Sequence, residues 1–375
     1  MRIVVAPDSF KGGLSAPDVC AAVETGVRRA LPGAAVTAVP MADGGEGTLD
    51  CFLRARGGRE IVRTVAGPLG RPVEARYALA GDGRSAVVEL AAASGLPLLA
   101  EDEREPARAD TTGTGELIAD AVARGARDVL VCVGGSATTD GGTGLLRALG
   151  VRFTGADGAE LPPGGGALAG LAAIDDSGVP EVVRETRFRV ACDVTNPFVG
   201  PSGAAAVFGP QKGATPAQVR ELDAALARLA DVLADRYGVR VHDLLGAGAA
   251  GGTCGGMVAV LGAEPARGAE LVAELVGLPA ALDGADLVIT GEGRLDGQSA
   301  GGKAVSVVTG LARDRGLPVV ALAGSVAGPL DDMYALGLTA AFSLADGPRT
   351  LGELIGAAGP LLADLAEQVV RLRAA

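Results

Sequence analysis

MRIVVAPDSFKGGLSAPDVCAAVETGVRRALPG, residues 1–33, contains the unit from which most of the chain is built. Residues 3–6 form a short apolar run that Pro7 ends, too brief for a helix and apolar at every position, which is the pattern of a strand covered on both faces. A glycine-containing loop with Asp8, Ser9 and Lys11 follows. Ser15 and Asp18 then give a helix-start signature before Val19, Val23, Val27 and Leu31, and Pro32-Gly33 stops the helix. A strand, a polar glycine loop and a helix, repeated, make a parallel sheet whose ligands bind at the carboxyl ends of its strands.

The same apolar run with a glycine-rich, Asp- or Glu-bearing loop recurs at residues 36–41, 129–133, 188–192, 287–290 and 319–322. Residues 61–90 break the pattern: their alternating runs predict antiparallel hairpins rather than crossovers, and mark the entry into an inserted domain. Strand candidates near residues 3, 36, 287, 319 and 340 then remain for a domain made of both chain ends. The expected architecture is α/β, a doubly wound parallel sheet over 1–62 and 285–375 interrupted by a second α/β domain over 63–284, with a cleft between them. Thr215 to Gln218 is a capping box that opens a helix closed by Gly238, and Thr350 with Glu353 suggests another, broken near Pro360.

Composition removes several function classes. A formal net charge of −12 leaves no basic stripe to displace counterions from nucleic acid, and disfavours an anionic membrane surface. No run of apolar residues is long enough to span a bilayer and the N-terminus reads as a strand, so the chain is expected in the cytoplasm. Five widely spaced cysteines without a CxxC read as reduced thiols. His242 is the one histidine, so a Ser/His/Asp relay or a multi-histidine zinc site has too few residues to be built, and proton chemistry falls to carboxylates.

Lysine occurs three times, at Lys11, Lys212 and Lys303, each beside glycine, while arginine fills the other cationic positions. A compact ammonium next to closely approaching backbone suits phosphate, although ordinary turn lysines are the plainer alternative. Several loops offer partners. PDSFKGG places Asp8, Ser9 and Lys11 ahead of a helix N-terminus. MADGGEGT offers Gly44 and Gly45 amides, with Asp43 and Glu46 as ligands for Mg²⁺ or as helix caps. GGSATTDGGTG packs Gly134, Gly135, Ser136, Thr138, Thr139 and Asp140 into a dense donor array. In ACDVTNP, Asp193 and Asn196 suit a base or metal ligand, or an Asx-turn into Pro197. TGEGRLDGQSAGGKA brings Glu292, Arg294, Asp296, Gln298 and Lys303; it meets GxxxxGK, but Ala304 replaces the hydroxyl residue of a P-loop. Residues 246–251 match GxGxxG after a leucine-rich turn rather than a strong strand, a weak dinucleotide signal. Together these loops carry what phosphoryl transfer needs: cations and amides for phosphoryl oxygens, carboxylates for a metal, and a base for the acceptor hydroxyl.

APDSFKGG, PMADGGEGT, GTGELI, GGSATTDGG, ACDVTNP, VFGPQKGA, GAGAAGG and TGEGRLDGQS, in this order, resemble the bacterial two-domain glycerate kinase family. That resemblance implies ATP-dependent phosphorylation of D-glycerate, usually to 2-phosphoglycerate, with Mg²⁺, in a flavodoxin-like domain interrupted by a second α/β domain. It implies small-molecule partners, D-glycerate and ATP, with self-association into a homodimer left open. The reading assigns Asp193, Lys11 and Arg294 to catalysis. Asp8, Ser9, Gly44, Gly45, Gly134, Gly135, Ser136, Thr138, Thr139, Asp140, Asn196, Lys212, Glu292, Gln298 and Lys303 go to cofactor binding, and Asp43, Glu46 and Asp296 to the metal. A 3-phosphoglycerate-forming or related sugar-acid kinase stays open, as do two other classes, an oxidoreductase seating a dinucleotide on residues 246–251 and a non-catalytic sugar-acid sensor.

Overall fold

The computed structural model describes residues 1–10, 12–45 and 47–374, the side chain of Gln298 excepted. Lys11, Glu46 and the side chain of Gln298, all singled out above, therefore lie outside the described residues. The chain divides into two compact units, Met1–Asp43 with Asp50–Arg56 and Arg267–Ala375, and Gly44–Leu49 with Gly57–Ala266.

In the first unit, the five expected runs form one parallel sheet in the spatial order Ala340–Ser343, Val319–Ala323, Leu287–Thr290, Arg2–Val5 and Ala35–Ala38. Numbered along the chain this is the order 2-1-3-4-5, the flavodoxin-like arrangement. Alternation sends successive residues to opposite faces: Ile3, Val5, Leu287 and Ile289 join one core, Val4 and Val288 the other. Each fully buried aliphatic side chain contributes about 1.5–3 kcal/mol, so a strand apolar at every position is stable only when helices cover both sides. Helix Ala16–Ala30 starts where Ser15 Oγ accepts from the Asp18 amide (3.3 Å). It packs so closely on Ala358–Ala374 that a Cβ on Gly26 would collide with the Ala363 carbonyl. The expected break near Pro360 falls instead at Ala357, between Leu351–Gly356 and Ala358–Ala374. Proline is tolerated in a first turn because its missing N–H has no intrahelical partner there.

The second unit holds a six-stranded sheet in the order Glu264–Ala266, Arg187–Ala191, Asp128–Cys132, Ser85–Glu89, Pro72–Ala80 and Gly58–Ala66. The first four pair in parallel; the last two extend the sheet as antiparallel hairpins, as their alternating sequence predicts. Glu264–Ala266 carries Pro265 and pairs with a single neighbour, and the edge of a sheet is the position that tolerates a missing donor. Helix Pro216–Tyr237 has the predicted capping box, with Thr215 Oγ1 and Gln218 satisfying each other's backbone, and Gly238 closes it at φ 71°. Among the described residues, no helix is long and apolar enough to cross a membrane. All five cysteines are free thiols.

Candidate active site

The loops that leave the carboxyl ends of the parallel strands carry nearly every residue singled out from the sequence. In the first unit, strand order reverses between Arg2–Val5 and Leu287–Thr290, the position at which doubly wound sheets bind their ligands. There the Asp8 amide donates to the Gly291 carbonyl (2.8 Å), joining PDSFKGG to TGEGRLDG. The Ser9 amide donates to Asp8 Oδ1 (2.6 Å), which fixes the Asp8 side chain against its own loop. Glu292 follows directly, half-buried, and its carbonyl accepts from the Gly324 amide (3.2 Å).

Arg294 Nε donates to Asp296 Oδ2 (3.0 Å), so the two residues given separate roles by sequence form a pair. The Arg294 side chain is 69% exposed, which leaves its planar guanidinium accessible to a carboxylate. Lys303 is exposed at the start of helix Ala304–Arg313. Arg267 lies beside it, since a Cβ on Gly302 would sit 2.7 Å from Arg267 Nη1. Sequence reading passed over Arg267 because arginine is common in this chain and no motif surrounds it. Asp43 is half-buried after the strand Ala35–Ala38. Among the described residues no three acidic, histidine or cysteine side chains gather as a metal cage. Mg²⁺ bound through phosphate oxygens needs only one or two carboxylates.

In the second unit four motifs meet. Gly44 and Gly45 belong here, and a Cβ on Gly134 would lie 3.7 Å from Gly45 Cα, so the two glycine loops touch. Glu89 Oε1 accepts from the Leu49 amide (3.0 Å) and holds the start of the helix that follows Gly45. GAGAAGG threads between the other loops: the Gly248 amide donates to the Asn196 carbonyl (3.0 Å), and the Gly141 amide to the Gly251 carbonyl (2.9 Å). A Cβ on Gly248 would collide with the Pro197 carbonyl, and one on Gly251 with the Thr138 carbonyl. These glycines serve backbone packing. Asp193 is exposed at the end of strand Arg187–Ala191, and Asn196 Nδ2 donates to the Ser202 carbonyl (2.8 Å).

Asp140 is fully buried and its carboxylate is committed to backbone. Oδ2 accepts from the Thr111 amide (3.0 Å), Thr111 Oγ1 (2.8 Å) and the Gly144 amide (3.0 Å), and Oδ1 from the Gly142 amide (3.1 Å). It braces the loop and the N-terminus of helix Thr143–Ala148 rather than facing a ligand. Its charge also reaches Asp110, a buried carboxyl that sequence reading missed; burial, then the Asp140 charge, push Asp110 above the usual range. Thr138 Oγ1 and Thr139 Oγ1 are buried with no hydrogen-bond partner among the described residues. Lys212 lies beneath the loop, donating from Nζ to Ser136 Oγ (2.9 Å) and to the Thr138 carbonyl (2.5 Å). Burial is the main cause that brings its pKa down to about 7, against an opposing pull from Asp140. His242 Nε2 lies 2.9 Å from Asp231 Oδ1 on helix Pro216–Tyr237.

Residues 3–374 match the glycerate kinase family. The chain belongs to that family. It is 46% identical over 347 residues to a glycerate kinase of Bacillus subtilis, covering 92% of this chain and 91% of that protein. It is 44% identical to the glycerate 2-kinase of Escherichia coli, covering 94% and 93% of the two chains. A crystal structure described as glycerate kinase 2 from Salmonella typhimurium LT2 superposes with a TM-score of 0.92 at 44% identity, covering 100% of this chain and 98% of that one. The chain is thus a kinase, acting on a small molecule with ATP as phosphoryl donor. Within the family frame the glycine signature at residues 246–251 is a packing element of the second unit, with its glycines set against neighbouring carbonyls.

Proposed function

We propose that this kinase transfers the γ-phosphoryl group of MgATP to the C2 hydroxyl of D-glycerate, giving 2-phosphoglycerate. The observation that carries the reading is the Asp8 amide to Gly291 carbonyl bond at the strand-order reversal, which brings the lysine-bearing loop and the Glu292/Arg294/Asp296 loop to one place. The relative named glycerate 2-kinase supports C2 as the acceptor.

In this reading, the exposed Arg294 guanidinium holds the glycerate carboxylate, kept in plane by its Nε contact to Asp296. Lys11 and Lys303 meet phosphate oxygens together with loop amides. Removal of the hydroxyl proton as the oxygen attacks phosphorus falls to a carboxylate base, the chain having a single histidine. Asp43 and Asp296 would hold a Mg²⁺ ion that arrives with the nucleotide, and the ion would supply neutralisation of the phosphate charge. The remaining hydroxyl and the carboxylate of glycerate fix which oxygen faces the base.

Phosphorus NMR of the product from D-glycerate and MgATP tests this. A 2-phosphate couples to a single carbon-bound proton and gives a doublet. Coupling to two protons would assign the transfer to C3 and reverse the proposed seating, and absence of any new phosphorus signal would remove the kinase reading of this substrate.

A further inference from the structure

We propose that Lys212 is a positioning residue for anion recognition by the loop of residues 134–140: its ammonium fills the acceptor side of Ser136 Oγ and so commits the Ser136 hydroxyl to donating to an anionic oxygen of the substrate. This rests on the kinase reading above and refines the cofactor-binding assignment that the motifs give to Lys212 and Ser136. The argument starts from what each group can do. An ammonium has donors only, so while Lys212 carries its proton Ser136 Oγ is the acceptor in the 2.9 Å contact and its own proton points elsewhere. A hydroxyl that already accepts from a cation is polarised and becomes a stronger donor. Lys212 itself is 2% exposed and lies under the loop, so it acts on a ligand through Ser136.

The loop is braced on every other side, which makes this one contact the adjustable part. The Ala137 amide donates to the Ser94 carbonyl and the Leu96 amide to the Gly135 carbonyl (both 2.9 Å), and Gly251 backs the Thr138 carbonyl. A second observation points to a ligand: Thr138 Oγ1 and Thr139 Oγ1, in the same loop, are buried and lack a partner among the described residues, and buried hydroxyls are rarely left so. Among the described residues, the charged groups beside Lys212 include Asp140 from the loop and Arg104, whose Nη1 donates to the Gln211 carbonyl (3.3 Å) and whose Cβ lies 2.9 Å from where a Cβ on Gly213 would be. Asp140 favours the ammonium but spends its hydrogen-bonding capacity on four backbone and Thr111 donors, so the Lys212 proton is held chiefly by Ser136 and Thr138. An anion on Ser136 adds negative charge to this chain of bonds and strengthens the proton's hold on Lys212.

Three lysines make the test direct. Protein labelled with carbon-13 at lysine Cε gives three side-chain signals, and Lys212→Gln identifies its own by loss. The Lys212 signal is expected to titrate near neutrality in the free protein and to shift to higher pH on adding D-glycerate or MgATP. In Ser136→Ala that ligand response is expected to vanish. In steady-state assays, Lys212→Gln and Ser136→Ala each raise KM on the order of tenfold, and the double variant is no worse than Ser136→Ala alone. Strictly additive losses would make Lys212 a brace for the loop and nothing more, and overturn the proposal. Should Lys212→Gln fail to fold, the comparison of wild type with Ser136→Ala still decides through the neutral-titrating signal. A signal indifferent to both ligands overturns the positioning role whether or not the wild type is active, whereas a wild type that binds both yet forms no phosphoglycerate overturns the functional reading alone.

Discussion

Glycine-rich loops leave the strands of both units, and glycine serves two opposite ends in them. In the second unit, Cβ atoms on Gly248, Gly251 and Gly256 would strike the carbonyls of Pro197, Thr138 and Gly141. There glycine lets three backbones pass at a distance no side chain permits. In the first unit, a Cβ on Gly297 would meet nothing nearer than the Pro329 carbonyl at 3.8 Å, and one on Gly12 nothing within 4 Å. Space kept open by glycine, beside Arg294 and Asp296, is space a ligand backbone or phosphate can use. Identical composition in a loop therefore carries two meanings, internal packing and external approach, and the neighbours decide which.

The largest effect expected from this contrast is at Gly248→Ala. Its φ is not in the left-handed region, so the penalty is the collision with the Pro197 carbonyl alone. Overpacking against backbone that cannot move aside costs about 3 kcal/mol. Urea denaturation followed by far-ultraviolet dichroism measures it, and a variant as stable as the wild type would break the packing half of the comparison.

Gly297→Ala probes the other half. With no crowding contact and no left-handed φ, the change is expected to leave stability within about 0.5 kcal/mol. It is expected to lower kcat/KM on the order of tenfold, because a methyl group now stands where the ligand approaches. Unchanged stability with unchanged kinetics would mean that the open space faces only solvent. Loss of both would mean that the loop packs in a way its geometry does not show.

The contrast also explains how much was legible from sequence. Strands such as Leu287–Thr290 and Val319–Ala323 were readable because a run buried on both faces is apolar throughout, and helix Pro216–Tyr237 because a capping box and a closing glycine are local signals. The loops were recognised as a set for the same reason: each follows such a strand. What could not be read was which atoms within a loop face inward. Lys212 meets Ser136 across 76 positions, and lysine is ordinarily a surface residue, so nothing local marks it as buried. Asp140 looks like a ligand by composition, yet it spends both oxygens on Thr111, Gly142 and Gly144. GAGAAGG matched a nucleotide signature because close backbone approach needs glycine whether the partner is a pyrophosphate or a carbonyl.

The smallest expected effect comes from Asp110, and its sign follows from burial. Desolvation, reinforced by the Asp140 charge, raises the Asp110 pKa above its unfolded value. The folded state therefore holds this proton more tightly than the unfolded chain, so the contribution is favourable below the unfolded pKa and is lost as pH rises through the folded one. At neutral pH the buried carboxylate is a liability that the packed, glycine-crowded second unit tolerates. Asp110→Asn keeps an oxygen to accept from the Thr112 amide, now made by Asp110 Oδ1 at 2.9 Å, and removes the charge. A modest rise in thermal midpoint at neutral pH is expected, fading as the pH is lowered below the range where Asp110 ionises. A loss of stability at neutral pH would show that the Asp110 charge is compensated within the loop array, and that the second unit uses its buried carboxylates as a pair rather than enduring one of them.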